Sequence, residues 1–152
     1  MKLAEALQER ADLNREIEQL KYRLNNCVLH QEGEEPPEDP ANLKRALDSS
    51  LARLEKLIAS INLTNSRTTV GKKTLTELIA ERDALSLKIA AYKDIVSTAS
   101  QSAYRARGTE IKIIPSIPVP EWQGQIDRAA KELRTIDNTI QENNWKCDLI
   151  EL

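Results

Sequence analysis

The chain has 152 residues, of which 30% are charged, 40% are hydrophobic and 3% are aromatic. Its formal net charge of −2 comes from 22 basic and 24 acidic residues that alternate along the chain, which argues against a nucleic-acid-binding or anionic-membrane surface. With no Phe, any core must consist mainly of Leu, Ile, Val and Ala. We therefore expect a single domain over residues 1–152, built from long amphipathic helices.

The N-terminal sequence MKLAEALQER carries a charge at every helical turn and lacks the apolar stretch of a secretion signal. No segment approaches the ~20 consecutive apolar residues that a membrane-spanning helix needs. These features predict a cytoplasmic protein that does not enter a membrane.

Apolar residues at alternating spacings of three and four predict a first helix over residues 2–29 and a second over 40–65. The segment between them, HQEGEEPPEDP, has the residues of a helix–helix turn. Gly33 permits a chain reversal, the prolines stop a helix, and Asp39 before Pro40 predicts an N-cap. An alternative use of this loop is weak binding of a divalent cation by its acidic residues, Glu34, Glu35, Glu38 and Asp39.

The same periodicity predicts a third helix over 74–106, with Thr74 or Thr76 as its cap, and a fourth over 120–147. Between them, residues 108–119 contain the β-prone sequence EIKII and three prolines, so we expect an extended arm there. An apolar arm of this kind must cover either its own chain or a neighbouring subunit.

Two segments of the chain resemble each other. LAEALQERADLNREI, which begins at Leu3, and LTELIAERDALSLKI, which begins at Leu75, share Leu, Glu, Glu-Arg, Leu and Ile at equivalent positions. This weak internal repeat predicts two similar helical hairpins. The predicted fold is therefore all-α, with four long antiparallel helices in an up-down-up-down, coiled-coil-like bundle and the arm before the last helix.

The repeat places Arg10 and Arg82 at equivalent positions on helix faces where leucine is expected. Up-down-up-down topology brings them near amide side chains at the ends of the second and fourth helices. A guanidinium facing a core needs carboxylates or amides as partners. The predicted polar layer contains Glu9, Arg10, Glu81, Arg82, Asn62, Asn65, Gln141 and Asn144. It has three possible roles: fixing helix register, binding a small anionic ligand, or forming an oligomer contact.

No catalytic constellation is evident, and we expect no enzyme activity and no cofactor or metal. The single histidine, His30, follows Cys27 at the spacing of half a zinc site, but the chain has no second half. Cys27 and Cys147 end the first and fourth helices, roughly 35–40 Å apart, too far for a disulfide. Trp122 and Trp145 are expected to be packing anchors.

Four segments, MKLAEALQERADL, QEGEEPPEDP, INLTN and the closing IQENNW, carry a resemblance to a family of small uncharacterised bacterial proteins often labelled "septicolysin". The resemblance extends over nearly the full length. It implies a cytolysin, whose pore would require amphipathic helices assembled in a ring. It implies no catalytic residue at any position.

The residues themselves favour a non-enzymatic structural or interaction protein that forms a homo-oligomer through the arm and its remaining apolar helix faces. The alternatives are a binding protein for a small anionic ligand at the Arg10/Arg82 layer and, from the family label alone, a septicolysin-like pore-forming protein.

Overall fold

The computed structural model describes residues 1–101 and 111–152, and most of this part of the chain is helical. The helices are α1 (Leu3–Asn25), α2 (Pro40–Arg67), α3 (Leu75–Ser100) and α4 (Val119–Lys146). The predicted all-α fold is confirmed. The two units into which the chain divides are Met1–Thr74 with Asn143–Leu152, and Leu75–Glu142. The single domain predicted over residues 1–152 stays a prediction.

In the first unit, α1 and α2 form an antiparallel hairpin. Residues of α1 at helical spacing are buried, among them Leu13 and Leu20, and they face a matching set on α2 that includes Leu43 and Leu57. Cys27 lies beyond the end of α1 and packs with Leu20 and Leu43. The periodic apolar stripe of each helix is thus the face that holds the hairpin together.

The connection between α1 and α2 is the turn that its residues predict. Gly33 has a positive φ of 85°, and the Asp39 carboxylate accepts a hydrogen bond of 3.0 Å from the Ala41 backbone N–H, capping α2. Helix α1 ends at Asn25 rather than at the predicted residue 29. The consecutive Asn25 and Asn26 explain the early end, because asparagine competes with helical backbone hydrogen bonds.

A small β-hairpin follows α2 and was not predicted. Strand β1 (Thr69–Val70) pairs antiparallel with β2 (Lys73–Thr74), with Thr69 opposite Thr74. Gly71 adopts the positive φ of 64° that a two-residue hairpin turn demands at its first position. The local signal in the sequence is Gly71 directly after the β-prone pair Thr69-Val70.

In the second unit, α3 and α4 pack antiparallel around Ile89, Ile126 and Ala129. The rings of Tyr92 and Trp122 lie 4.8 Å apart between centroids, so Trp122 is the packing anchor that its type predicts. Helix α3 is described as far as Ser100. Its predicted range continues to residue 106, and residues 102–106 lie outside the described part. The arm is described from residue 111 to 118 and contains neither helix nor strand there, as expected for an extended segment.

Candidate functional site

The residues of the predicted polar layer divide between the two units. Glu9, Arg10, Asn62, Asn65 and Asn144 belong to the first, and Glu81, Arg82 and Gln141 to the second. Asn144 is buried, Asn62 and Gln141 are exposed, and the other side chains are half-buried. The layer as one assembled site therefore stays a prediction.

In the first unit, Glu9 pairs with Arg53 of α2. The Arg53 guanidinium donates two hydrogen bonds to the Glu9 carboxylate, of 2.6 and 2.8 Å, which is the fork geometry favoured by arginine and carboxylates. The Arg53 hydrogen bonds lower the pKa of Glu9 below its usual value. Arg53 was missing from the predicted site, although the turn between α1 and α2 sets a register that brings it opposite Glu9.

In the second unit, the half-buried Arg82 faces two carboxylates. Its guanidinium lies 3.0 Å from Asp83 and 3.9 Å from Asp137 of α4. The predicted need for an acidic partner is thus met, but by aspartates outside the predicted set.

The two ends of the chain form a contact that we call the terminal clasp, residues 1–3 with 147–150. The Leu3 N–H donates to the Cys147 carbonyl at 3.0 Å, and the Leu149 N–H donates to the Met1 carbonyl at 2.9 Å. Lys2 also forms an ion pair of 2.8 Å with Asp148, which lowers the pKa of that carboxyl. Sequence periodicity cannot reveal this contact, because it joins residues at opposite ends of the chain.

The segment that follows the clasp is held by hydroxyl groups of α2. The Thr64 side chain is fully buried, donates to the Ser60 carbonyl at 2.8 Å and accepts from the Ile150 N–H at 2.9 Å. The Ser60 hydroxyl accepts a longer bond of 3.3 Å from the Leu152 N–H. These buried polar residues of α2 thus satisfy backbone groups of the C-terminal segment.

Trp145 does not act as the packing anchor that was predicted, because 63% of it is exposed. It lies beside a groove of about 350 Å³ on α1 whose acidic lining residues are Glu5, Glu9 and Asp12. Each of these carboxylates has a partner within the chain: the Lys2 backbone N–H, Arg53 and Arg15 respectively.

In the loop between α1 and α2, two of the acidic side chains considered for cation binding have other partners. Glu38 pairs with Arg23 of α1, and Asp39 caps α2. Over residues 1–101 and 111–152, no three side chains of His, Cys, Asp or Glu are grouped so that they could hold a metal ion.

Cys27 is buried and Cys147 half-buried, and both are free thiols that lie beyond opposite ends of the 23-residue α1. The predicted separation of the two cysteines is therefore confirmed.

An apolar groove of about 360 Å³ lies in the second unit. The end of α3 forms one wall, with Ile95 and Ala99, and residues 113–117 of the arm form the other. The adjoining side chains of the arm are open to solvent, since Ile111 is 79% exposed and Ile114 74% exposed. No other described segment of the chain presents three isoleucines so close together at its surface.

A family model matches residues 10–149, which include most of α1 and all of the other helices. The chain belongs to DUF6847, a family of unknown function. DUF6847 membership agrees with the expectation of an uncharacterised family. It gives no support to the septicolysin label, because the family description mentions no cytolytic activity.

A solved structure is similar to this DUF6847 chain over almost its whole length. It is the crystal structure of a functionally unknown conserved protein from Corynebacterium diphtheriae, with 35% sequence identity, a TM-score of 0.90 and 99% of each chain covered. No curated protein matches the chain. Among the described residues, no helix combines the length and apolarity required to cross a bilayer.

Proposed function

We propose that this DUF6847 chain is a non-enzymatic interaction protein that self-associates through its arm and the apolar groove beside it. One observation carries the proposal: the arm exposes Ile111, Ile113 and Ile114 next to a groove that is itself largely apolar. Burying an isoleucine side chain is worth roughly 1.5–3 kcal/mol, so covering three of them is a substantial driving force for association.

The surroundings of the predicted polar layer favour this function over anion binding. Arg82, one of the two arginines of the predicted anion site, faces the carboxylates of Asp83 and Asp137. A carboxylate next to an arginine weakens its attraction for a second anion, because like charges repel. No observation on the described residues supports the cytolytic alternative.

The test is the solution mass, measured by size-exclusion chromatography with light scattering. We expect a multiple of the 17.2 kDa chain mass. The double variant Ile111→Lys/Ile114→Lys is expected to move to the monomer mass with unchanged helical circular dichroism, because the replaced side chains are exposed. A monomeric wild-type chain at every concentration tested would contradict the proposal.

Leu87→Lys is the matched control. Leu87 is 73% exposed and lies on α3, outside the arm and the groove lining. The control introduces one lysine, against two in the double variant, at an equally exposed aliphatic position, so it should retain the wild-type mass. Dissociation of this variant as well would mean that added charge, rather than the arm, disrupts the assembly.

A further inference from the structure

Part of the arm, from Lys112 to Ile114, has free backbone groups. Lys112, Ile113 and Ile114 lie outside the helices and strands, and within the described residues their backbone groups form no hydrogen bond. The sequence IKII has high β propensity. An extended β-prone segment with free N–H and C=O groups is a template on which another strand can pair.

The groove and the arm carry opposite charges that have no partner within the described chain. Asp94 is the one ionisable residue that lines the groove, and Lys112 is the one charged side chain between residues 111 and 118. Neither side chain forms an ion pair with a described residue. An occupant of the groove should therefore be apolar, extended and basic at one position.

We infer that two copies of the chain pair their arms antiparallel, so that Lys112 of each copy meets Asp94 in the groove of the other. The inference rests on the proposed self-association and specifies its contact. The arm of the second copy has the chemistry that the groove requires, because the arm is apolar and extended and carries a single lysine. A two-fold axis sets identical segments antiparallel and forms the ion pair twice.

The size of this contact indicates a reversible dimer. Each copy contributes the exposed parts of Ile95, Ile111, Ile113 and Ile114, at roughly 100 Å² or less for each side chain. Stable complexes usually bury about 800 Å² on each partner. Arm pairing alone therefore predicts a dimer whose population depends on protein concentration.

Charge exchange tests the inference, with the dimer dissociation constant measured by sedimentation equilibrium. Asp94→Lys and Lys112→Asp should each weaken the dimer by roughly 3- to 30-fold, because each removes two exposed ion pairs and adds repulsion. An equimolar mixture of these two variants should recover the wild-type affinity, since their heterodimer contains both opposite-charge pairs. Only a contact between copies gives this recovery.

Lys93→Asp is the matched control, because Lys93 is exposed beside Asp94 but does not line the groove. It should leave the dissociation constant unchanged. As a second readout, amide hydrogen exchange at Ile113 and Ile114 should slow as protein concentration rises.

Two results would overturn the inference, and they can be told apart. A wild-type chain that is monomeric throughout would remove both the arm pairing and the proposed function. An assembly that tolerates both charge reversals, or whose variants do not complement each other in the mixture, would remove the arm pairing and leave self-association intact.

Discussion

At the scale of single residues, two hydroxyl groups on the buried face of α2 bind the C-terminal segment. Thr64 and Ser60 lie one helical turn apart and accept hydrogen bonds from alternate backbone N–H groups of the C-terminal segment. In the sequence, a threonine and a serine on an apolar helix face suggest polar groups that would destabilise a core. In the folded chain they satisfy partly buried backbone N–H groups.

Replacing Thr64 by valine keeps the shape of the side chain and leaves the Ile150 N–H without its acceptor. We expect a loss of about 1 kcal/mol in the free energy of unfolding, the lower end of the cost of an unsatisfied polar group, because the Ile150 N–H is only partly buried. Urea denaturation measures this change. Thr135→Val is the control, because Thr135 is exposed and its hydroxyl bonds only to a carbonyl of its own helix. Equal effects of the two variants would argue against a role for the tail contact.

The ion pair between Glu9 and Arg53 predicts how stability depends on pH. Arg53 lowers the pKa of Glu9 in the folded chain below the ordinary value of 4.5. The unfolded chain therefore binds more protons, so the contribution of the pair is present above about pH 4.5 and is lost as pH falls through the folded-state pKa.

The variant Glu9→Gln should be less stable than wild type at pH 7, by about 0.2–1 kcal/mol, because the pair is partly exposed. Its stability should also fall less steeply below pH 4.5. Thermal unfolding from pH 7 to pH 3 measures both effects. Glu55→Gln is the comparison, since Glu55 is exposed on α2 and makes no ion pair within the described residues. Parallel pH curves for wild type and Glu9→Gln would contradict the prediction.

At the scale of elements, helix positions follow local sequence closely. The apolar spacing of three and four places all four helices, and Asp39-Pro40 marks the start of α2 at the residue where the structure begins it. The ends of helices are less well predicted, as at Asn25, because fraying and capping involve small energies. The hairpin of β1 and β2 was missed because two-residue strands give no periodic signal.

The N-cap of α2 offers a test of this local control. Asp39→Ala removes the acceptor for the Ala41 N–H and should destabilise the chain by about 1 kcal/mol. Chemical denaturation measures the loss. Glu35→Ala removes an acidic residue of the same loop that is exposed and caps no helix, so it should change stability by less than about 0.5 kcal/mol. If both substitutions had the same effect, general loop charge would be the cause.

At the scale of the whole molecule, the order of the helices along the chain determines which residues can meet. Cys147 lies at the start of α1, where its carbonyl accepts from Leu3, and Cys27 lies beyond the end of the same helix. The 23 residues of α1 span about 35 Å at 1.5 Å per residue. A disulfide requires Cα atoms within about 7 Å.

Oxidation should therefore give no intramolecular bridge. Under a mild oxidant, the chain is expected to migrate as a monomer at the same position as reduced chain on a denaturing gel, and any disulfide should be intermolecular. Cys147 should react with a thiol reagent before the buried Cys27. The variant Cys147→Ser should abolish the early reaction. A faster-migrating oxidised monomer would refute the arrangement of α1 and the C-terminal segment.

The sequence by itself determined the all-α class, the helix positions, the turn at residues 30–39 and the separation of the cysteines. The first three depend on local backbone preferences and on apolar periodicity, which act within a few residues, and the cysteine separation follows from the order of the helices along the chain. The tertiary structure decided the partners: Arg53 for Glu9, Asp137 for Arg82, and the terminal clasp. These contacts join residues far apart in the chain, and they depend on the rotation and register of packed helices, which a periodic pattern leaves open.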